Sequence, residues 1–539
     1  FLARQGFSNT NTYDGLSIVM PRVSFNWEPM ADLKISGGVG LFSGGLPDVF
    51  MSNSYSNTGI ATVGVQIERL TDGTFVETGA APGFNQTIGA AALNVGINPQ
   101  FGSSIPASVL GLLGGVTPNP TSEVNALANN FEVPSEWKAN VTISKELPWG
   151  LRGTFDGVIT RVKTGYAFRD GRATPLMVNG AQARTPDGRI RYDGLSSAQR
   201  TAVVGTVVNS TAAAIAAGAV TATSSISNRD IIMYNPSGDL GEAYVAAFGL
   251  SKRFGNLSTS IAYTYQNIEE LGNSGRFAST ASSLYGGMFT GLDPNAPTYG
   301  RAQEEIRNAF KYSVDWKGTP FGDLETRLSL FGDKRNGRPI TFVMNAGSGR
   351  NSTFGVNRFA NLAYIPNFAG LNDAVLTATS AGVTTSSSGA ILIGGDNKVA
   401  FDNVTTLNNV RNLVNHFGLN QGVIAERSAY RNEDIHLVDM KLSQQLPSFF
   451  EGHKAIVSLE FANLLNMLND EWGVTQEFGE TQTLYNVTCA DATGASNNAG
   501  AVTCNTYRIT NASNLLTNAP TRNVDRSRWQ ITVGLRYEF

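Results

Sequence analysis

WQITVGLRYEF, residues 529–539, carries two different surfaces in one short stretch. Trp529, Ile531, Val533, Leu535, Tyr537 and Phe539 share one parity, and Gln530, Thr532, Gly534, Arg536 and Glu538 the other. Successive side chains of a β-strand point to opposite faces, so one face is continuously apolar and the other polar. Eleven residues is about what a tilted strand needs to cross a bilayer.

The same alternation recurs upstream. Trp137, Ala139, Val141 and Ile143 oppose Lys138, Asn140, Thr142 and Ser144. Tyr244, Ala246, Phe248 and Leu250 alternate with Val245, Ala247, Gly249 and Ser251. Leu257, Thr259, Ile261, Tyr263 and Tyr265 alternate with small polar residues, as do Phe310, Tyr312, Val314 and Trp316 with Lys311, Ser313, Asp315 and Lys317. Aromatics stand near the ends of these runs, where interfacial girdles belong. A soluble sandwich also alternates, but its strands are usually about 5–6 residues long.

Composition agrees. Charged residues make up 15% of the 539, against roughly 25% in soluble proteins. Glycine is abundant, at 58. A net charge of -3 gives no basic footprint for nucleic acid. Two cysteines and three scattered histidines do not make a metal module, so no cofactor is expected. No apolar run of roughly 20 residues exists to form a transmembrane helix. The nearest, Thr201–Val220, is broken by Thr206, Asn209, Ser210 and Thr211 and reads as an Ala-rich loop segment.

Eleven strands are expected, near 21–27, 33–43, 136–146, 150–163, 240–254, 256–270, 307–318, 323–335, 434–446, 453–464 and 527–539. Short turns, around Glu28–Asp32, Leu147–Gly150, Gly255–Asn256, Gly318–Asp323 and Pro447–Gly452, alternate with long polar segments at 44–135, 164–239, 271–306, 336–433 and 465–526. This is the pattern of an antiparallel transmembrane β-barrel, with short periplasmic turns and long extracellular loops. If Phe539 ends in the periplasm, eleven crossings start the first strand outside, and Phe1–Met20 belongs to the loop side. The chain begins with Phe1 and shows no export signal. The expectation is therefore a piece of a longer exported protein, with an odd number of strands upstream.

The segment DIHLVDMKLSQQLPSFFEGHKAIVSLEFANLLNMLNDEWG (434–473) resembles the penultimate strands of TonB-dependent outer-membrane receptors, especially the Oar-like group. So do the ending SRWQITVGLRYEF (527–539), PRVSFNWEPMADLKISGGVGLFSGGLPDVFMSNSYSNTG (21–59) and YNPSGDLGEAYVAAFGLSKRFGNLSTSIAYTYQ (234–266). The resemblance touches most strands and few loops. It implies that residues 1–539 are the C-terminal part of a 22-stranded barrel in the outer membrane of a Gram-negative bacterium. It also implies a plug domain and a TonB-pairing box, neither within this chain, through which TonB–ExbB–ExbD would drive uptake of a substrate that the sequence does not identify. A passive porin-like channel and an Oar-type role in surface adhesion or protein export are the alternatives. By the same resemblance, Trp529, Ile531, Val533, Leu535, Tyr537 and Phe539 form the C-terminal insertion signal read by the barrel assembly machinery.

Individual residues carry less. Cys489 and Cys504 lie in TCADATGASNNAGAVTC, in the last long segment. A surface loop faces an oxidising environment, so a disulfide is expected, with two free thiols as the alternative. His416, His436 and His453 are far apart in sequence; His436 alone falls in a strand, with the parity of the barrel interior. No nucleophile elbow appears, so no enzymatic activity is expected. Glu269–Glu270 and Glu304–Glu305 fall near loops and read as solvated surface. Lys311, Asp315, Lys317, Arg327 and Arg152 have inward parity, because a cation facing lipid at mid-membrane costs roughly 2–4 kcal/mol.

Overall fold

A computed structural model describes residues 1–44, 66–77, 83–97, 107–114, 123–208, 229–271, 280–347, 349–447, 450, 452–513, 515–516 and 521–539. The alternating runs form one antiparallel sheet. Its strands are β1 (Arg22–Met30), β2 (Leu33–Ser43), β3 (Ser135–Leu147), β4 (Leu151–Thr164), β5 (Gly241–Phe254), β6 (Leu257–Leu271), β7 (Asn308–Phe321), β8 (Leu324–Arg335), β9 (Ile435–Leu446), β10 (Lys454–Ala462) and β11 (Gln530–Glu538). Each pairs with its sequence neighbours, and a short strand at Tyr299–Arg301 joins the sheet beside the end of β6. The order runs from β1 to β11, and these two end strands do not pair with each other. Among the described residues no helix is long and apolar enough to cross a membrane.

Turn chemistry fixes the hairpins. Gly255 lies at φ 57 between β5 and β6, and Gly322 at φ 73 between β7 and β8; both positions need the left-handed region that glycine enters freely. Trp149 and Gly150 both take positive φ in the turn from β3 to β4. In the turn from β9 to β10, residues 448, 449 and 451 lie outside the described residues, as do residues 209–220 of the Ala-rich segment.

The long connections are not loose polar loops, and here the structure corrects the sequence reading. Strands Pro339–Asn345, Asn361–Leu362, Val383–Thr385, Ile391–Ile393, Asp396–Phe401, Tyr430–Arg431, Thr481–Ala490 and Thr506–Thr510 form a second, eight-stranded mixed sheet. It interleaves two connections: 339–345 runs parallel to 481–490, and 396–401 parallel to 506–510. Helix Val404–His416, capped by the Asn403 side chain on the Thr406 N–H, packs into the same core. A third sheet joins Val124–Leu127, Ala167–Asp170 and Asp230–Tyr234. We call this layer the cap. Its core holds Phe342, Phe354, Tyr364, Phe401, Leu413, Tyr485 and Tyr507, nearly all fully buried.

Residues 1–20 also lie on the cap side. The Gln5 amide donates to the Gly171 carbonyl and to Asp230, both at 3.0 Å, and Tyr13 packs 6.2 Å from Phe131.

Candidate functional site: a two-faced sheet beneath a packed cap

The register sorts the main sheet into two faces. Val23, Phe25 and Trp27 of β1 share a face with Val39 and Ile35 of β2, and then with Ala139, Val141 and Ile143 of β3. That face continues through Phe155 and Ile159, Phe248 and Leu250, Ile261 and Tyr263, Phe310 and Tyr312, and Leu328 and Leu330. It ends on Met440 and Leu442, Leu459 and Phe461, and Ile531, Val533, Leu535 and Tyr537. Most of these side chains are exposed, Val533, Leu535 and Phe539 strongly so.

Charge appears on this face only at strand ends. On β5 it is confined to Glu242 and Lys252; on β3 and β4 it is Lys145 next to the turn and Arg161 and Lys163 next to the cap; on β8 it is Lys334. Aromatics flank the uncharged band: Trp137, Tyr244 and Tyr265 near the cap, and Trp27, Phe254, Trp316 and Tyr537 near the turns.

The opposite face is polar and internally paired. Lys317 bridges Glu325 at 2.6 Å, with Arg327 3.9 Å from the same carboxylate. Ser329 donates to Asp315 at 2.6 Å, and Thr142 to Asp156 at 2.7 Å. Arg152 reaches Ser144 at 3.1 Å and Glu146 at 3.8 Å. Lys441 pairs with Glu460, and Lys311 stands opposite Asp333 in the register. These pairs are exposed and individually worth little, roughly 0–1 kcal/mol.

Buried charge fastens cap to sheet. Glu305 is 0% exposed and faces three guanidinium groups: Arg307 at 3.1 Å, Arg301 at 3.4 Å, and Arg431. Its Oε2 also accepts the Ile268 N–H of β6 at 2.7 Å. One carboxylate thus joins β6, the start of β7 and the approach to β9. Arg427, buried in the cap, pairs with the part-exposed Glu270 carboxylate and donates to the Glu270 carbonyl at the end of β6. The expectation that these acidic pairs are solvated therefore fails for Glu305, while its neighbour Glu304 is exposed. A lone buried carboxylate would be costly; one matched by several guanidinium groups is not.

Within the cap, Arg191 donates to four backbone carbonyls: Ser352 at 2.7 Å, Val502 at 2.8 Å, Thr353 at 3.1 Å, and Ala501. Burial pulls this guanidinium down to about 10, with Tyr507 and Asp193 acting the other way. Arg358 stacks 3.7 Å over the Tyr285 ring and donates to the carbonyls of Tyr285, Phe168 and Asn295. Arg172 pairs with Asp230 at 2.8 Å, and Arg350 with Asp170.

A cleft of about 570 Å³ opens where three connections meet. Asn345 ends one cap strand and Gly347 follows it, Asn357 and Phe359 approach from the same connection, Ser282, Ser283 and Gly286 come from helix Ala281–Gly287, and Arg229 closes the set. Arg229 holds Glu123 through Nε at 2.8 Å and Nη2 at 2.6 Å.

Cys489, in strand Thr481–Ala490, and Cys504, just past helix Asn498–Thr503, are joined as a disulfide in the cap core, with Cα atoms 4.6 Å apart. Trp529, Ile531, Val533, Leu535, Tyr537 and Phe539 lie exposed on the apolar face. The three histidines stay apart. His416 ends the cap helix, and His453 Nδ1 meets the Tyr537 hydroxyl at 2.9 Å near a turn. His436 lies opposite Lys334 and shares the apolar face with Val438 and Met440, which corrects its interior parity. Its Nε2 meets the Tyr312 hydroxyl at 3.1 Å, which gives the imidazole a polar partner on that face. Among the described residues no cluster of metal-ligand type occurs.

The buried arginines and the cleft escaped the sequence reading. One local signal was available: Leu407, Val410, Leu413, Val414 and Phe417 follow helical spacing behind Asn403. No protein-family model matches the chain, and no curated protein matches it.

Proposed function

We infer that the chain is the C-terminal part of a transmembrane β-barrel in the outer membrane of a Gram-negative cell, belonging to a TonB-dependent receptor of the Oar-like kind that takes up a substrate. The reading rests on where charge stops on the apolar face. Glu242 and Lys252 bracket that face of β5, ten residues apart. At roughly 3.4 Å per residue and a tilt of about 45°, this spans about 25 Å of membrane normal. That is the height of the apolar band on outer-membrane barrels, and aromatics sit at both of its limits.

The polar face then lines the interior, and the cap faces outward with its cleft open to arriving ligand. The end strands β1 and β11 supply the edges to which upstream strands of a larger barrel pair. Transport would draw on an upstream plug and on TonB–ExbB–ExbD. A folded cap with a cleft suits capture better than the open mouth of a passive channel.

Single cysteines at Val533, Leu535 and Phe248, and at Thr532 and Ser251, test this in native membranes through attached spin labels. Collisions with oxygen dissolved in lipid should be frequent at the first three. Collisions with a water-soluble relaxant should be frequent at the other two. Equal water access on both faces would remove the reading.

A further inference from the structure

We propose that the cleft lined by Arg229, Ser282, Gly286, Asn345, Asn357 and Phe359 binds a short neutral oligosaccharide. The lining carries no unbalanced charge, because Glu123 neutralises Arg229 through two contacts. An anionic ligand would compete with Glu123 for that guanidinium, and a cationic one would meet no free carboxylate among the lining residues. What remains is hydrogen-bonding capacity of both signs.

The Asn357 Oδ1 already accepts the Gly349 N–H at 3.2 Å, which fixes the amide and turns its donor end away from that loop. Asn345 is oriented likewise, its Oδ1 accepting from Gly347 at 3.0 Å and its Nδ2 donating to Asn486 at 3.3 Å. Fixed planar amides pair well with adjacent hydroxyls, which both donate and accept. Phe359 supplies the apolar contact. The residue is 59% exposed and its ring lies over Gly286, where an added Cβ would fall 2.6 Å from Cε1. A large exposed aromatic backed by a glycine is a platform for the C–H face of a sugar ring. The volume falls within the roughly 300–1,000 Å³ typical of small-ligand sites. It admits a few sugar rings and excludes a folded protein.

The proposal rests on the receptor reading only for the direction from which ligand arrives. Binding is therefore measured on detergent-purified protein, independently of membrane topology. Di- to tetrasaccharides from starch, cellulose, xylan, mannan and chitin are titrated by calorimetry against wild type, Phe359→Ala and Phe359→Trp, with thermal unfolding as the folding control. At least one sugar series should bind wild type, weaken about tenfold or more in Phe359→Ala, and shift the tryptophan emission of Phe359→Trp. Absence of binding across all series, or affinity unaffected by Phe359→Ala, overturns the proposal. Tighter, Phe359-dependent binding of an end-capped tripeptide would overturn it in favour of a peptide site.

Discussion

Tyr312 on β7 lies across Gly332, its directly paired residue on β8: a Cβ added to Gly332 would stand 2.1 Å from the ring's Cζ. The glycine makes room for the ring to lie flat on the apolar face and to carry its hydroxyl to His436. Phe25 on β1 uses Gly37, its directly paired residue on β2, in the same manner. An aromatic covering a facing glycine pins strand register, since a slip by one residue would put the ring on the other face.

Gly332→Val should therefore destabilise the sheet by about 1–3 kcal/mol through overpacking. The check is the temperature at which the folded band disappears on semi-native gels. Tyr312→Ser in the same chain should restore much of the loss. An additive double variant would rule out the pairing as its cause.

Arg191→Met should loosen the cap while leaving the main sheet intact. Each buried carbonyl left without its charged donor costs roughly 1–3 kcal/mol, so a total of about 3 kcal/mol or more is expected. Limited proteolysis reports it, as new cleavages around residues 350–356 and 500–504. A cap as resistant as wild type would show that the clamp contributes little.

Cys504→Ser should weaken the cap by roughly 3 kcal/mol, as expected for a closed loop of this length. Reductant should reproduce the effect in wild type and add nothing in the variant. Two thiols that alkylate in the untreated, denatured protein would show that the bond does not form.

Alkali should unfold the cap in one step. Desolvation pushes the Tyr285 hydroxyl up to about 12, and burial beside Asp187 pushes Tyr485 and Tyr507 well above the usual value. An unfolded tyrosine ionises near 10.0, so the folded cap holds these protons longer. The stabilisation is whole below that pH and drains away as pH rises from 10 toward 12. Phenolate absorbance should rise abruptly together with loss of cap protection. A gradual rise with the cap still folded would contradict this.

The main sheet was legible because its information is local. In β6 and β11 the alternation alone states which side each residue occupies, and Gly255 or Gly322 marks where the chain turns. The expected range 240–254 matches Gly241–Phe254, and 323–335 matches Leu324–Arg335. The cap was illegible because its information is distant. Arg191 and the Val502 carbonyl are 311 residues apart, and the strands at 339–345 and 481–490 pair across the two main-sheet strands β9 and β10. Phe354, Val356, Tyr364 and Ile365 sit in segments rich in Asn, Gly and Ser, where neither a period of two nor of 3.6 emerges. Glu305 misled for the same reason: its guanidinium partner Arg431 arrives from a different connection.

The Arg191 clamp grips main chain rather than side chains, and every residue type offers the same carbonyl. Outward-pointing residues of the clamped segments are thus free to be exchanged while the main chain that carries them keeps its course. Sequence drift and architectural constancy become compatible in one polypeptide.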